Sequence, residues 1–232
     1  MPGSNITSRS GANLSTIKRL LLCEGPDDRE FFLAFIEERG LSSLGFDVHH
    51  NGSSSQPTGG ITQFRSSLQA RFVLRNGWYR YKDVVLAADN DDHDPIDTNF
   101  KIVKAQTAQP LGFFPQKSED LAVQGRRRVK VLMMPGDGEK GNLESLCRRA
   151  LSSVDYHILR HLDVYYHSVG VDRWQSTCRR DEMWLRSNLA ARCQSDPGIS
   201  LRNLFSTPRL RRLIPWNDQA FRNIYDALAS LY

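Results

Sequence analysis

An α/β fold with a mostly parallel central sheet flanked by helices is the architecture that this sequence predicts, and three observations lead to it. Short runs dominated by apolar residues, at 17–23, 84–88 and 129–134, have the length and composition of buried strands. Each leads through a loop into a segment able to form a helix. Right-handed crossovers between such units place the loops that follow the strands along one edge of the sheet, where ligands bind in folds of this class.

The first unit opens with a strand over 17–23. Gly25 and Pro26 then supply a turn and a helix start, and the helix is expected from Asp27 to about Arg39. Its residues Phe31, Phe32, Phe35 and Ile36 recur at three- and four-residue spacing, an aromatic stripe that belongs against the sheet, and Gly40 marks its end. A short strand over 46–50 leads into the Gly/Ser-rich loop 51–60. A helix carrying Ile61, Phe64, Leu68 and Phe72 on one face follows.

The strand at 84–88 is apolar throughout, as a central strand covered on both faces should be, and it stops abruptly at Asp89-Asn90-Asp91-Asp92-His93-Asp94. A helix near 98–106 and a connection containing Pro and Gly precede the strand at 129–134. The loop 135–141 comes next, and Asn142 is placed to cap a further helix. Beyond about residue 152 the pattern is helical and rich in arginine, with Trp174, Met183, Trp184, Leu185 and Leu189 as packing residues. The expected organisation is a disordered tail over 1–16, an α/β core over 17–152 and a helical extension over 153–232 packed on that core.

At 40% hydrophobic and 25% charged residues the composition is that of an ordinary globular chain, which excludes disordered, collagen-like and membrane-embedded classes. No apolar run approaches the roughly 20 residues needed to cross a bilayer, and the opening residues lack a secretory pattern, so a cytoplasmic location is expected. Cys23, Cys147, Cys178 and Cys193 are widely spaced, which points to reduced structural thiols. The formal net charge of +5 conceals an asymmetry, because the acidic residues concentrate in the first half and arginines in the second. Carboxylates that hold cations beside a basic surface that meets a polyanion would have this distribution; a solvated basic face accounts for the charge equally well.

Two constellations carry the chemistry. In the first, Glu24 ends a strand, Gly25 lets the backbone turn closely around a ligand, and Asp28 follows one helical turn later. Asp28 either shares a site with Glu24 or serves the positive end of the helix. In the second, Asp89 and Asp91 project together if the extended geometry of their strand persists to its end. Hard oxygen ligands of this kind suit Mg2+ or Mn2+, and a cation offsets the repulsion that crowded carboxylates would otherwise suffer.

This order of motifs, strand-Glu24-Gly25 followed by strand-Asp89-x-Asp91 with another strand–helix unit between, resembles the Toprim domain. That family includes topoisomerases, primases, recombination mediators and the overcoming-lysogenization-defect nucleases. The stretch from Cys23 to Phe31 is particularly similar to the nuclease branch, in which a second acid, here Asp28, follows the Glu-Gly pair. Met134-Pro135, the run from Gly141 to Leu146, the run 181–191 and residues 214–221 are similar to a small uncharacterised bacterial Toprim family. The similarity makes Glu144 a further acidic candidate, although a helix-start glutamate is also explained by the helix dipole. One departure is Glu182, where the small family often carries lysine; Arg179 or Arg180 would then have to supply the charge.

The resemblance implies a one- or two-metal phosphoryl-transfer site with Glu24, Asp89 and Asp91 catalytic and Glu24, Asp28, Asp89, Asp91 and Glu144 as metal ligands. Glu24 would be either a ligand or a general base. Arg126, Arg127, Arg128, Arg148, Arg149, Arg179 and Arg180 are the candidate contacts to nucleic acid, with a solvated face as the plainer role for most of them. His157 and His161 share a helix face without an H-E-x-x-H pattern, so zinc is not expected, and neither glycine-rich loop matches a nucleotide-binding fingerprint. The expected function is a metal-dependent nuclease acting on DNA or RNA, in bacterial defence or repair. The alternatives are a non-catalytic nucleic-acid-binding module and an interaction subunit of a separately encoded ATPase. The sequence specifies no oligomeric state.

Overall fold

The computed structural model describes residues 18–52, 59–74, 76–154 and 156–232. The expected tail over 1–16 and most of the Gly/Ser loop lie outside these residues. Strands β1 (Lys18–Cys23), β2 (Phe46–His50), β3 (Tyr81–Asp89), β4 (Leu121–Gln124) and β5 (Arg127–Met134) form one sheet in the order β2-β1-β3-β5-β4. The pairs β1·β2, β1·β3 and β3·β5 are parallel, and β4·β5 is antiparallel. The mostly parallel sheet expected from the apolar runs is thus present.

Alternation along the strands explains why both faces are covered. Leu21, Cys23, Val85, Ala87, Leu132 and Met134 point to one side, and Leu20, Leu22, Val84, Leu86, Ala88, Val129, Val131 and Met133 to the other. The second face is closed by Phe64 and Leu68 of α2 (Phe64–Leu68), Phe72, and Phe100, Val103 and Leu111 of α4 (Thr98–Leu111). A four-residue helix α3 (Gly77–Arg80) leads into β3. The helix expected from Ile61 onward is a sequence of short turns, 3-10 at Ile61–Gln63, α at Phe64–Leu68 and π at Gln69–Val73, which together keep Phe64, Leu68 and Phe72 buried.

The first face takes α1 (Pro26–Glu38), α5 (Leu143–Ser152), α6 (Tyr156–Val169), α7 (Thr177–Arg192), α8 (Leu201–Ser206), α9 (Pro208–Arg211) and α10 (Arg222–Ala229). Its centre is aromatic: Phe31 packs against Phe35, Phe205, Trp216 and Phe221 with ring centroids 5.4 to 5.8 Å apart. The stripe on α1 thereby joins the N-terminal unit to residues almost 200 positions away. Truncating Phe31 to alanine would cost about 3–5 kcal/mol by the usual cavity penalty.

Strand β4 was not expected. Residues 121–124 carry only two apolar positions that pack, and they pair with the start of β5 across a two-residue turn at Gly125, whose φ is +61°. At the opposite edge of the molecule from the acidic loops, Asp83 is fully buried between Arg19 and Arg128, and both arginines also donate to the carbonyl oxygen of Leu231. This network ties the beginnings of β1, β3 and β5 to the C-terminal helix α10.

Candidate metal and phosphoryl-transfer site

The C-terminal ends of β1 and β3 are neighbours in the sheet, with Cys23 in register with Ala87, so the residues that leave these strands meet. Glu24 Oε1 accepts a hydrogen bond of 2.9 Å from the backbone N–H of Asp89. The carbonyl oxygen of Glu24 accepts from the N–H of Gly60 at 3.1 Å. A Cβ at Gly59 would stand 1.9 Å from that same oxygen, and Gly59 has φ of +75°, so the close approach of this loop to Glu24 requires glycine.

Asp28 lies in the first turn of α1. Its Oδ2 accepts from the N–H of Gly25 at 2.8 Å, which closes the turn between strand and helix. The sequence left a choice between helix capping and a shared site with Glu24. The structure shows the capping role, and the charge of Asp28 also acts on Glu24 and Asp89.

The aspartate pair is built differently from the expectation. Strand geometry ends at Asp89, and Asp91 has a left-handed backbone with φ of +53°. Asn90 turns away, donating to the carbonyl oxygens of Gly136 and Glu139 at 2.8 Å each. Asp91 is held by reciprocal backbone bonds with Gly141, 2.7 and 2.9 Å long, and Asn99 of α4 donates both to the carbonyl oxygen of Asp89 and to Asp91 Oδ2. The two aspartates reach one region through this clamp rather than through a continued strand. Asp92 leaves the site altogether: it accepts from Ser176 Oγ and the N–H groups of Thr177 and Cys178, and so caps α7.

Glu144 enters from the start of α5, where Asn142 is the cap and accepts from the N–H of Ser145 at 3.1 Å. Burial, followed by the charges of Asp28, Glu24, Glu144 and Asp91, pushes the Asp89 carboxyl well above the usual carboxylate range. Burial likewise raises Glu24 to about 8 and Asp28 to about 7, with neighbouring carboxylates adding to the effect. Glu144 is raised for the same first reason, and Glu182 and Asp27 contribute. The five predicted acids therefore act on one another electrostatically at one edge of the sheet.

Their chemistry fits a hard divalent cation. All offer carboxylate oxygens, and Asp89 Oδ1 is buried without a hydrogen-bond partner among the described residues. Their present side-chain positions do not complete a coordination shell: among the described residues no three acidic, histidine or cysteine side chains converge closely enough to hold one ion. Glu24, Asp28 and Asp91 each accept one hydrogen bond, from the N–H of Asp89, the N–H of Gly25 and the side-chain amide of Asn99 respectively.

The arginines named as candidate contacts to nucleic acid are dispersed over the fold. Arg126, Arg127 and Arg128 sit where β5 begins, and the strand separates them from the acids by roughly 20 Å. Arg128 is committed to Asp83 at 2.6 Å, and Arg127 lies over the ring of Trp78. Arg148 is paired with buried Asp181 and rests on Trp184, while Arg149 is paired with Glu139. Arg180 donates to the carbonyl oxygen of Asp172 and to Thr177, and exposed Arg179 continues the first turn of α7. Glu182, at the position of the expected lysine, is bonded to Arg186 at 2.8 Å.

Residues that the sequence reading missed include Asn99, Gly59, Arg186 and Arg202. The charges of Arg202 and Arg186 act on Asp27, and that of Arg186 also on Glu144. A signal for Asn99 was available: it stands in line with Val103, Thr107 and Leu111, a polar residue on a buried stripe. Residues 18–232 match the family described as "Protein of unknown function (DUF3226)". Neither the curated proteins nor the solved structures gave a match.

Proposed function

We propose, from the premise that this chain belongs to the DUF3226 family, that it is a Toprim-like, metal-dependent phosphodiester hydrolase acting on nucleic acid. The observation that carries the proposal is half-buried Asp89: its Oδ1 is buried with no partner among the described residues, and Glu24, Asp28, Asp91 and Glu144 all press charge upon it. A fold that needed only stability would gain by replacing such a residue with an apolar one, because uncompensated like charges in a low-dielectric edge are costly.

Glu24, Asp28, Asp89, Asp91 and Glu144 would hold Mg2+ or Mn2+. When bound, the ion would supply Lewis-acid stabilisation of charge on the phosphoryl oxygens. The chain's own residues set the geometry. Asp89 N–H orients Glu24, Asn99 fixes the backbone of Asp89 and the side chain of Asp91, and Gly59 lets the backbone at Gly59 and Gly60 pass close to the Glu24 carbonyl. If the other acids hold the ion, Glu24 would instead serve as general base, its ionised carboxylate accepting the proton of the attacking water.

A second reading has its own support. The acids stand apart in their present side-chain positions, and proton uptake alone relieves their repulsion, which is what a nucleic-acid-binding module without catalysis would need. Partnership with a separately encoded ATPase belongs to that reading too. Incubating the protein with labelled single- and double-stranded DNA and RNA in Mg2+, Mn2+ or chelator separates the two. Cleavage that requires metal and is lost in Asp89→Ala supports the hydrolase. Binding that persists in chelator, with every substrate intact, supports the module.

A further inference from the structure

Among the cations near the acidic edge, most are already engaged. Arg29 is paired with Glu30, Arg186 with Glu182, and Arg71 donates to His49 Nδ1. Arg202, on α8, makes no hydrogen bond or ion pair among the described residues and is exposed. Its charge nevertheless acts on two groups at the site's edge, Asp27 beside the Glu24 turn and His50 at the end of β2. Packing of α8 along α1 explains its position.

His50 stands in register with Cys23, the residue before Glu24, on the outermost parallel strand. Adjacent strands are roughly 4.8 Å apart, so His50 lies one strand over from the acid cluster, on the side where the sheet ends. Its Nδ1 accepts from the N–H of Gly52 at 3.0 Å, which leaves the proton of the neutral ring on Nε2 as a donor. The charges of Arg29, Arg71 and Arg202 all act on this ring, whereas carboxylates crowd the ends of β1 and β3.

Building on the hydrolase reading, we infer that Arg202 and His50 form the cradle for a nucleic-acid phosphate that flanks the scissile one. The strand would then cross the sheet edge from β2 toward β3. Arg202 contributes a planar fork of donors matched to phosphate oxygens, and His50 contributes one neutral donor. Arg126 and Arg127, at the far end of β5, take no part.

The test uses the full chain and a fluorescein-labelled 20-nucleotide single strand, as DNA and as RNA, with binding followed by anisotropy in Ca2+ across a salt series. For Arg202→Ala we expect affinity for the bound strand to fall about tenfold and the slope of log affinity against log salt to drop by about one. Arg202→Lys should recover part of the affinity, His50→Ala should weaken binding less, and Arg126→Ala should match wild type. In cleavage assays KM should rise in Arg202→Ala with kcat little changed. Unchanged affinity and slope in Arg202→Ala, with its melting temperature intact, overturns the cradle. So does the absence of binding by the wild type to either strand. The hydrolase reading is judged separately, by whether Asp89→Ala abolishes metal-dependent cleavage; cleavage with that dependence beside a normal Arg202→Ala would leave the hydrolase standing and the cradle refuted.

Discussion

Replacing Asp89 by asparagine should make the protein more stable, and increasingly so as pH rises. In an unfolded chain Glu24 titrates near 4.5, whereas in the fold burial and then the neighbouring carboxylates raise it to about 8; Asp28 moves from 3.8 to about 7. Below the unfolded values both states are protonated and the cluster contributes its full stability. Between pH 4 and 8 the unfolded chain releases protons that the fold retains, so stability falls, until the folded carboxyls also ionise. At 1.36 kcal/mol per pH unit, Glu24 alone could account for up to about 5 kcal/mol of this loss, shared with the acids coupled to it. Asparagine at 89 does not ionise and needs no proton to be buried, so the variant should recover about 2 kcal/mol at pH 8.5, or about 4–8 °C in a chain of this size. Thermal denaturation in chelator from pH 5 to 8.5 measures it: wild type should lose melting temperature steadily and Asp89→Asn should lose less. A wild-type profile flat over that range, or a variant less stable at every pH, would refute the electrostatic argument.

Glu24→Gln should abolish cleavage while leaving the melting temperature at pH 7 unchanged or higher, because the amide oxygen still accepts from Asp89 N–H; collapse of the fold would assign Glu24 a structural role. Gly59→Ala should lower stability by about 2 kcal/mol or more and impair cleavage, since its Cβ collides with the Glu24 carbonyl; denaturant titration checks the first effect. Arg128→Ala should cost about 1–3 kcal/mol, because buried Asp83 loses two charge-assisted hydrogen bonds and keeps only Arg19, whereas Arg126→Ala should be nearly neutral, and equal effects would contradict the burial argument.

Much of the fold was legible because its signals are local and strong. The apolar run at 84–88 has no reading other than a covered strand, and Phe31, Phe32 and Phe35 can share a helix face only if that face is buried. Strand β4 was hidden because an edge strand of four residues, half of it exposed, lacks both length and alternation. The site divides in the same way. Gathering Glu24 with Asp89 followed from parallel topology, but the route of Asp91 depends on a left-handed turn and a clamp by Gly141 and Asn99, contacts between segments far apart in sequence. The cationic residues were least legible. A run such as Arg126-Arg127-Arg128 is conspicuous in sequence yet sits at the opposite end of the sheet, while a single Arg202 is placed near the acids by helix packing alone.

Anomalous diffraction from crystals soaked in Mn2+ would reveal whether the carboxylates that follow β1, end β3 and begin α1 and α5 share one divalent ion. A peak is expected within bonding distance of Asp89 Oδ1 and of Glu24 or Asp91, absent from the Asp89→Asn variant. Side chains that remain apart in saturating Mn2+, with no peak at this edge of the sheet, would contradict it.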